Sequence, residues 1–234
     1  MDRLTVLIAA GGVEDSIERG LKVVTETPTA GTLELGNAFS AAGHKVRYLC
    51  SPSCPRPART HSYVEVLSTD AAAEVFRREA DSADIVVCAI ELLSCDQVVV
   101  ERGANGPGYA GTTRRAFDGD VCPLTMLRRC RRDAVKIWFT YPSPFDPVNP
   151  FILADARRLD YVVACDWGGA MEGMRGAVIV PCGGERMPVV NASDLAAKLS
   201  KMSVALALRR LDEARMREQI AAELERERRG SVSP

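Results

Sequence analysis

The chain has 234 residues, 47% of them hydrophobic and 26% charged, with 30 basic and 31 acidic side chains and a formal charge of -1. That composition excludes a disordered or collagen-like chain and permits one well-buried domain without metal or disulfide staples. The even charge balance argues against a broad nucleic-acid surface, which has to be basic, but leaves room for a small phosphate site.

Only five of the basic residues are lysines, so a phosphate clamp here has to be built mainly from arginine and backbone N–H groups. The eight cysteines show no zinc-finger spacing, and Cys50, Cys88 and Cys165 fall in or at the ends of apolar runs, where a free thiol behaves as a small hydrophobe. No stretch approaches 18 consecutive apolar residues, and Met1-Asp-Arg-Leu4 is not a signal-peptide start. The expectation is a reduced, cytoplasmic protein with no membrane and no nucleic-acid partner.

In chain order, Leu4 to Ala10 is an apolar run of strand length that ends at Gly11-Gly12, as in a strand covered on both faces. The spacing from Thr29 to Gly43 predicts a helix closed by Gly43, and Lys45 to Cys50 the next strand, giving a βαβ unit. Ser51 to His61 reads as a loop, Tyr63 to Leu67 as an alternating strand, Thr69 to Ala80 as a capped helix and Ala83 to Ile90 as a buried strand. From Glu91 to Asp120 the regularity stops, and Arg102 to Gly111, with four glycines and a proline, reads as a flexible loop. A short basic helix over Cys122 to Arg132 follows, then a strand from Val135 to Tyr141. A helix is expected from Asn149 to Leu159 and a strand from Asp160 to Cys165. A late strand over Ala177 to Pro181 turns at Gly183-Gly184, and a helix capped by Asn191 or Ser193 runs to about Ala207. Leu208 to Arg229 holds seven arginines and six acidic residues as an amphipathic helix, packed on its own domain or on a second copy.

The alternation defines an α/β chain: a Rossmann-like, doubly wound, mostly parallel sheet with an added C-terminal helix. The division expected is a domain over 1–202 and a charged helix and tail over 203–234. In such sheets ligands sit beyond the carboxyl ends of the strands, which singles out Gly11, Gly12 and Asp166. Neither the Gly-x-Gly-x-x-Gly dinucleotide fingerprint nor the phosphate-binding Gly-Lys-Ser/Thr is present. Thr25-Glu-Thr-Pro-Thr-Ala-Gly31 offers hydroxyls and helix N–H groups to an anion, or ordinary capping by Thr27 or Thr29. Asp96, Arg102, Arg114 and Arg115 lie in or near the irregular region, which makes it a phosphate lid or a solvated loop. His44 is expected to face solvent after Gly43, and His61 to lie on a loop surface, so no histidine-based triad or metal site is expected.

The ordered set of segments resembles the phosphopantothenoylcysteine synthetase (phosphopantothenate–cysteine ligase) family over about residues 4–202. Leu7-Ile-Ala-Ala-Gly-Gly-Val13 with Ser16-Ile-Glu18 is similar to the family's strand, Thr-Ala-Gly-Gly-Thr and Pro-Ile-Asp. Thr27 to Gly31 stands where the family has Asn-Arg-Ser-Ser-Gly, and Gly43-His-Lys-Val46 resembles Gly-His-x-Val. Ala83 to Ala89, Cys122 to Leu127 and Asp160 to Asp166 resemble the Ala-Asp strand, Thr-Pro-Asp-Ile-Leu and Asp-x-Ile-Val-Ala-Asn-Asp.

The resemblance implies a homodimeric Rossmann-like ligase that uses CTP or ATP and Mg²⁺ to join a small carboxylate to an amine through an acyl-nucleotide. It places Thr27 at the position of an asparagine that stabilises the acyl intermediate, and gives Asp166 a role in orienting the nucleotide or a metal-bound water. Nucleotide or phosphate contacts then fall to Gly11, Gly12, Thr29, Ala30, Gly31, Ser94 or Asp96, Arg114 or Arg115, and Arg157 and Arg158. Cys165 replaces the asparagine of Ala-Asn-Asp. With several functional positions changed together, the chain reads as a divergent relative. It is either a ligase of a specialised pathway, or a relative that binds a nucleotide or phosphorylated metabolite without turnover, or a structural or regulatory partner protein.

Overall fold

The computed structural model describes residues 3–18, 21–25, 28–52, 54–58, 60, 62–92, 98–100, 111–113, 122–141, 158–167 and 174–230. Its strands are β1 (Thr5–Gly11), β2 (Glu14–Glu18), β3 (Leu21–Val24), β4 (Lys45–Cys50), β5 (Ser62–Glu65), β6 (Ile85–Ile90), β7 (Val98–Val100), β8 (Gly111–Thr113), β9 (Val135–Thr140), β10 (Tyr161–Trp167), β11 (Met174–Pro181) and β12 (Met187–Val189). Its helices are α1 (Ala30–Ala41), α2 (Thr69–Ala80), α3 (Pro123–Arg129) and α4 (Ala192–Gly230).

Eight strands form one sheet in the order β12-β11-β10-β9-β6-β1-β4-β5. The six from β10 to β5 are parallel, and β11 and β12 add antiparallel at one side. The chain winds outward from β1 through β4 to β5, then crosses back to lay β6 on the other side of β1. The topological switch point therefore lies between β1 and β6.

Alternation along the strands sorts the core into two layers. Val6, Ile8 and Ala10 of β1 face Leu35 and Phe39 of α1 and Leu195 and Leu199 of α4. Leu7 and Ala9 face the opposite way, onto Phe76 of α2 and Leu127 of α3. Both faces of the sheet are covered, which is why its strands read as unbroken apolar runs.

Two short hairpins depart from the expected pattern. Residues 14–24, for which the sequence suggested no element, pair as β2 and β3, and part of the 91–120 stretch pairs as β7 and β8, on either side of the glycine-rich segment. The buried carboxylate of Asp15 accepts the Thr69 amide at 3.1 Å and the Thr69 hydroxyl, tying the first hairpin to the start of α2. The N-cap of α2 is Ser68, which accepts the Ala71 amide at 3.2 Å.

Helix α4 is continuous across the two helical segments expected at the C-terminus. Asn191 caps it, accepting the Asp194 amide at 2.9 Å. Its first half packs on the core and along α1, while residues 217–226 are exposed. The Arg210 guanidinium forks onto both oxygens of Asp160 at 3.0 and 2.5 Å and also donates to the Ala134 carbonyl at 2.9 Å, clamping α4 to the start of β10.

His44 is a correction to the sequence reading. It is buried, 2% exposed, with Nδ1 3.4 Å from the Leu4 amide and its ring edge-on to Phe39. Gly43, in the left-handed region at φ +87°, turns the chain so that the imidazole goes under α1 instead of outward. Among the described residues no helix is long and apolar enough to cross a membrane.

Candidate functional site

The carboxyl ends of β1, β4, β6 and β9 converge at the switch point. Gly11 ends β1 with φ +86°, and its carbonyl accepts the Glu91 amide at 3.0 Å, carrying the β1–β6 pairing one residue past the sheet. Thr25 locks this junction. Its hydroxyl accepts the Val13 amide at 2.8 Å and donates to the Glu91 carbonyl at 2.8 Å, and its own amide reaches the Val13 carbonyl at 2.9 Å. A Cβ on Gly12 would lie 1.5 Å from the Thr25 carbonyl oxygen, so the second glycine exists for backbone against backbone.

Helix α1 begins at the same edge. Its N-cap, Thr29, makes no side-chain capping bond, which leaves first-turn N–H donors available to an anion. The helix start is held from below by two hydroxyls. Tyr48 and Thr32 share a hydrogen bond of 3.1 Å, and the Tyr141 hydroxyl donates to the Pro28 carbonyl at 3.1 Å. Burial pushes the Tyr141 hydroxyl well above its usual range, with Cys165, Tyr48, Glu91 and Cys54 close enough to add to the effect.

Two clefts open here. One of about 240 Å³ is lined by Ile90, Glu91, Leu92, Pro123, Trp138, Phe139, Thr140 and Tyr141, between the ends of β6 and β9. The other, of about 120 Å³, lies under the β2–β3 hairpin against Gly12, Thr25, Ser51 and Pro52. An apolar crevice of about 20 Å³ between α2 and α3 has room for roughly one water and no metabolite. The Glu91 carboxyl, partly desolvated by the cleft wall though open to water on its outer side, is raised above the ordinary carboxylate range.

The structure brings Gly11, Gly12, Thr29, Ala30, Gly31 and Cys165 to this edge. Cys165 is 5% exposed, and burial pushes its thiol up to about 12, so it sits in the floor as a neutral, apolar group. Asp166 follows it in β10 opposite Gly176, next to a bulge at Asp166/Trp167; its side chain lies outside the described residues. Arg158 is not brought to the site. It precedes β10 in the left-handed region at φ +52°, at the amino-terminal edge of the sheet. Thr27, Ser94, Asp96, Arg114, Arg115, Arg157 and His61 lie outside the described residues.

Sequence reasoning included Thr25 only in a stretch offering hydroxyls to an anion, and missed Glu91, Trp138 and Tyr141. The signal for Glu91 was the one applied to Asp166, a charged residue directly after an apolar strand. Cys50 was read as a small hydrophobe at the end of an apolar run, and its nearness to Cys54 was not used. In the fold their thiols share a hydrogen bond under Gly11, which lowers Cys50 and raises Cys54.

In doubly wound α/β sheets the crevice beyond the carboxyl ends of the strands is where small ligands are commonly held. Solved structures share this fold. The DNA/pantothenate metabolism flavoprotein from Streptococcus pneumoniae superposes with a TM-score of 0.67 at 12% identity, covering 88% of this chain and 99% of that one. The C-terminal domain of the coenzyme A biosynthesis bifunctional protein CoaBC gives 0.64 at 16% identity, covering 89% and 99%. A Cab2 mutant in complex with phosphopantothenate-cysteine gives 0.61 at 9% identity, covering 91% and 89%. The fold implied by the sequence resemblance is the fold found. No protein-family model and no curated protein sequence matches the chain.

Proposed function

We propose that the chain is a nucleotide-dependent carboxylate–amine ligase, working as a divergent relative of the phosphopantothenate–cysteine ligases. One observation carries the reading: an uncapped α1 start and two clefts lie along the carboxyl edge on either side of the switch point, in a fold also seen holding phosphopantothenate-cysteine. A carboxylate oxygen attacks the α-phosphorus of CTP or ATP and pyrophosphate leaves. The amine then attacks the acyl carbon, and the nucleoside monophosphate departs with the bonding pair. First-turn N–H groups of α1 face the negative charge that develops.

Among the described residues no group of three His, Cys, Asp or Glu side chains could hold a metal. Mg²⁺ is commonly held by one or two carboxylates together with substrate phosphates, so in this reading it arrives on the triphosphate. Thr27 donates one hydrogen bond where the family uses an asparagine. Arg114 or Arg115 and Arg157 supply positive charge, and Asp166 orients the nucleotide. Arg158, at the far edge, has no part in this scheme. The homodimer is part of the proposal, and a 25.3 kDa species in sedimentation at micromolar concentration would remove it.

The test incubates the protein with Mg²⁺, CTP or ATP, a panel of small acids and cysteine, and follows pyrophosphate. Carboxylate-dependent pyrophosphate together with nucleoside monophosphate is expected. Thr27→Ala should slow amide formation about 100-fold while sparing nucleotide binding. The buried, neutral Cys165 supports a second reading, a relative that binds without turnover. Saturable nucleotide binding with no carboxylate-dependent pyrophosphate would select it.

A further inference from the structure

Past the core, helix α4 becomes an arm. Leu211 is its last large apolar side chain that packs on the domain, residues 217–226 are exposed, and the helix runs on to Gly230. At 1.5 Å per residue that arm is about 28 Å long. It lies outside residues 4–202, which carry the family resemblance. The arm is not polar all round. Met216, Ile220 and Leu224 are 63%, 51% and 54% exposed and stand four residues apart, so they form one apolar ridge along the helix. The other large hydrophobic side chains exposed among the described residues, Leu67 and Val190, lie singly on loops.

The charges beside the ridge follow a pattern. Met216 is straddled by Arg215 and Arg217, and Leu224 by Glu223 and Glu225, the two sets being equally far from Ile220. Helical neighbours point about 100° to either side of a residue, so each end of the ridge carries one sign of charge on both flanks. Turned end for end about Ile220, the pattern meets its own complement. Met216 then faces Leu224, Ile220 faces Ile220, and arginines stand level with glutamates. Laid in the same direction, it sets arginine beside arginine and glutamate beside glutamate. Within the helix Arg217 pairs with Glu213 at 3.5 Å and Arg215 with Asp212 at 3.7 Å, contacts between exposed side chains that cost little to exchange.

We propose that this ridge is a contact with a second copy of the chain, the two arms packing antiparallel across a two-fold axis at Ile220. A two-fold contact needs one surface that complements itself, which the arginine and glutamate ends of the ridge supply. Ridges of four-residue spacing interdigitate at a crossing of about 50°. The contact is small, so the dimer it makes is weak and reversible. The pairing is read from the helix alone and does not depend on the ligase reading.

The test sediments the full chain over a concentration series, where a monomer–dimer equilibrium is expected. The double variant Arg215→Glu, Arg217→Glu makes both ends of the ridge acidic, and Glu223→Arg, Glu225→Arg makes both basic. Each alone should dimerise about 10-fold more weakly or worse, because like charges then face each other. An equimolar mixture of the two should recover the affinity of the parent. All four positions lie on the arm, so the unfolding midpoint of the domain should not move. A monomer up to millimolar concentration, or a dimer that neither variant weakens, overturns the inference. So does a loss in both variants that mixing does not reverse. A dimer indifferent to the swaps would leave the homodimer of the ligase reading standing on another surface. Carboxylate-dependent pyrophosphate, assayed on the same samples, judges the ligase separately.

Discussion

The two edges of the central sheet treat their polar groups in opposite ways. At the amino-terminal edge a set of charged side chains holds strands in place. Asp84 accepts the Thr5 amide of the neighbouring strand at 2.8 Å and pairs with Arg131 at 3.4 Å. Asp160 repeats the arrangement at the start of β10, two strands further across the sheet, accepting the Lys136 amide at 2.8 Å and the fork of Arg210. Lys136 itself, 8% exposed, donates to the Cys130 carbonyl at 3.1 Å behind α3. At the carboxyl edge the backbone is pinned just as firmly, by Gly11, Gly12 and Thr25, but the side chains above it stand around open clefts. The difference teaches which parts of the family-like sequence are structural. The aspartates of Ala83-Asp84 and Asp160-Tyr161 carry much of the resemblance, yet they serve the edge without the clefts.

The sharpest way to break the comparison is to make the pinned backbone of the open edge fail. In Gly12→Ala the new methyl would sit 1.5 Å from the Thr25 carbonyl, so strand and hairpin must part. A loss of more than about 4 kcal/mol is expected in urea unfolding, at the extreme of single substitutions. Gly43→Ala is the control. Its Cβ meets nothing within 4 Å, and only the positive φ opposes it, for about 1 kcal/mol. Equal effects would show that Gly12 is not packed backbone to backbone.

The closed edge should break at its clamp. Arg210 and Asp160 side chains are 27% and 12% exposed, so removing one partner strands a largely desolvated charge. Arg210→Ala should cost about 3 kcal/mol. Arg210→Lys should recover less than half of that, because an ammonium cannot make the two parallel bonds. A double-mutant cycle with Asp160→Asn should give a coupling of at least about 1 kcal/mol. Additivity in that cycle would mean that α4 is held by its apolar face alone.

Thr25→Val separates structure from function at the open edge. The shape is kept while the Val13 amide and the Glu91 carbonyl lose their partner. About 1–3 kcal/mol of stability should go. Nucleotide binding should weaken with it, since the strand ends beside the clefts are joined through Thr25. Full nucleotide affinity in Thr25→Val would show that the Gly11–Glu91 bond holds this junction unaided.

Much of the sheet was legible because buried parallel strands announce themselves. The runs Val6 to Ala10 and Ile85 to Ile90 are apolar on both faces, and only a covered strand can be. The hairpins were not legible. Glu14 to Glu18 alternates no more clearly than a loop, and what orders it is the distant Thr69 reaching the Asp15 carboxylate. The clefts were half legible. Strand ends pointed to Gly11 and Gly12, but Glu91, Tyr141 and Thr25 become neighbours only once β6 crosses to β1, a choice no local spacing encodes. His44 was misread because Gly-His at a helix end looks like surface, whereas the direction of the ring is set by Gly43 and the cover by Phe39.

His44 also gives the smallest effect and the one that depends on pH. Burial lowers its pKa from 6.5, since an imidazolium under α1 would lose water without gaining a partner. The unfolded chain therefore binds a proton more readily than the folded one. Its contribution is fully present above about pH 6.5 and is lost as the pH falls below that value toward the lower folded-state pKa. Within that window the slope is at most about 1.4 kcal/mol per pH unit. His44→Asn keeps an acceptor for the Leu4 amide and does not titrate. Near pH 7.5 it should change stability by less than about 1 kcal/mol, the scale of one modest hydrogen bond. At pH 5 the parent should have lost stability that the variant keeps, so the two unfolding curves draw together or cross. Parallel losses in both proteins between pH 7.5 and 5 would assign the acid sensitivity to other groups and leave His44 as packing alone.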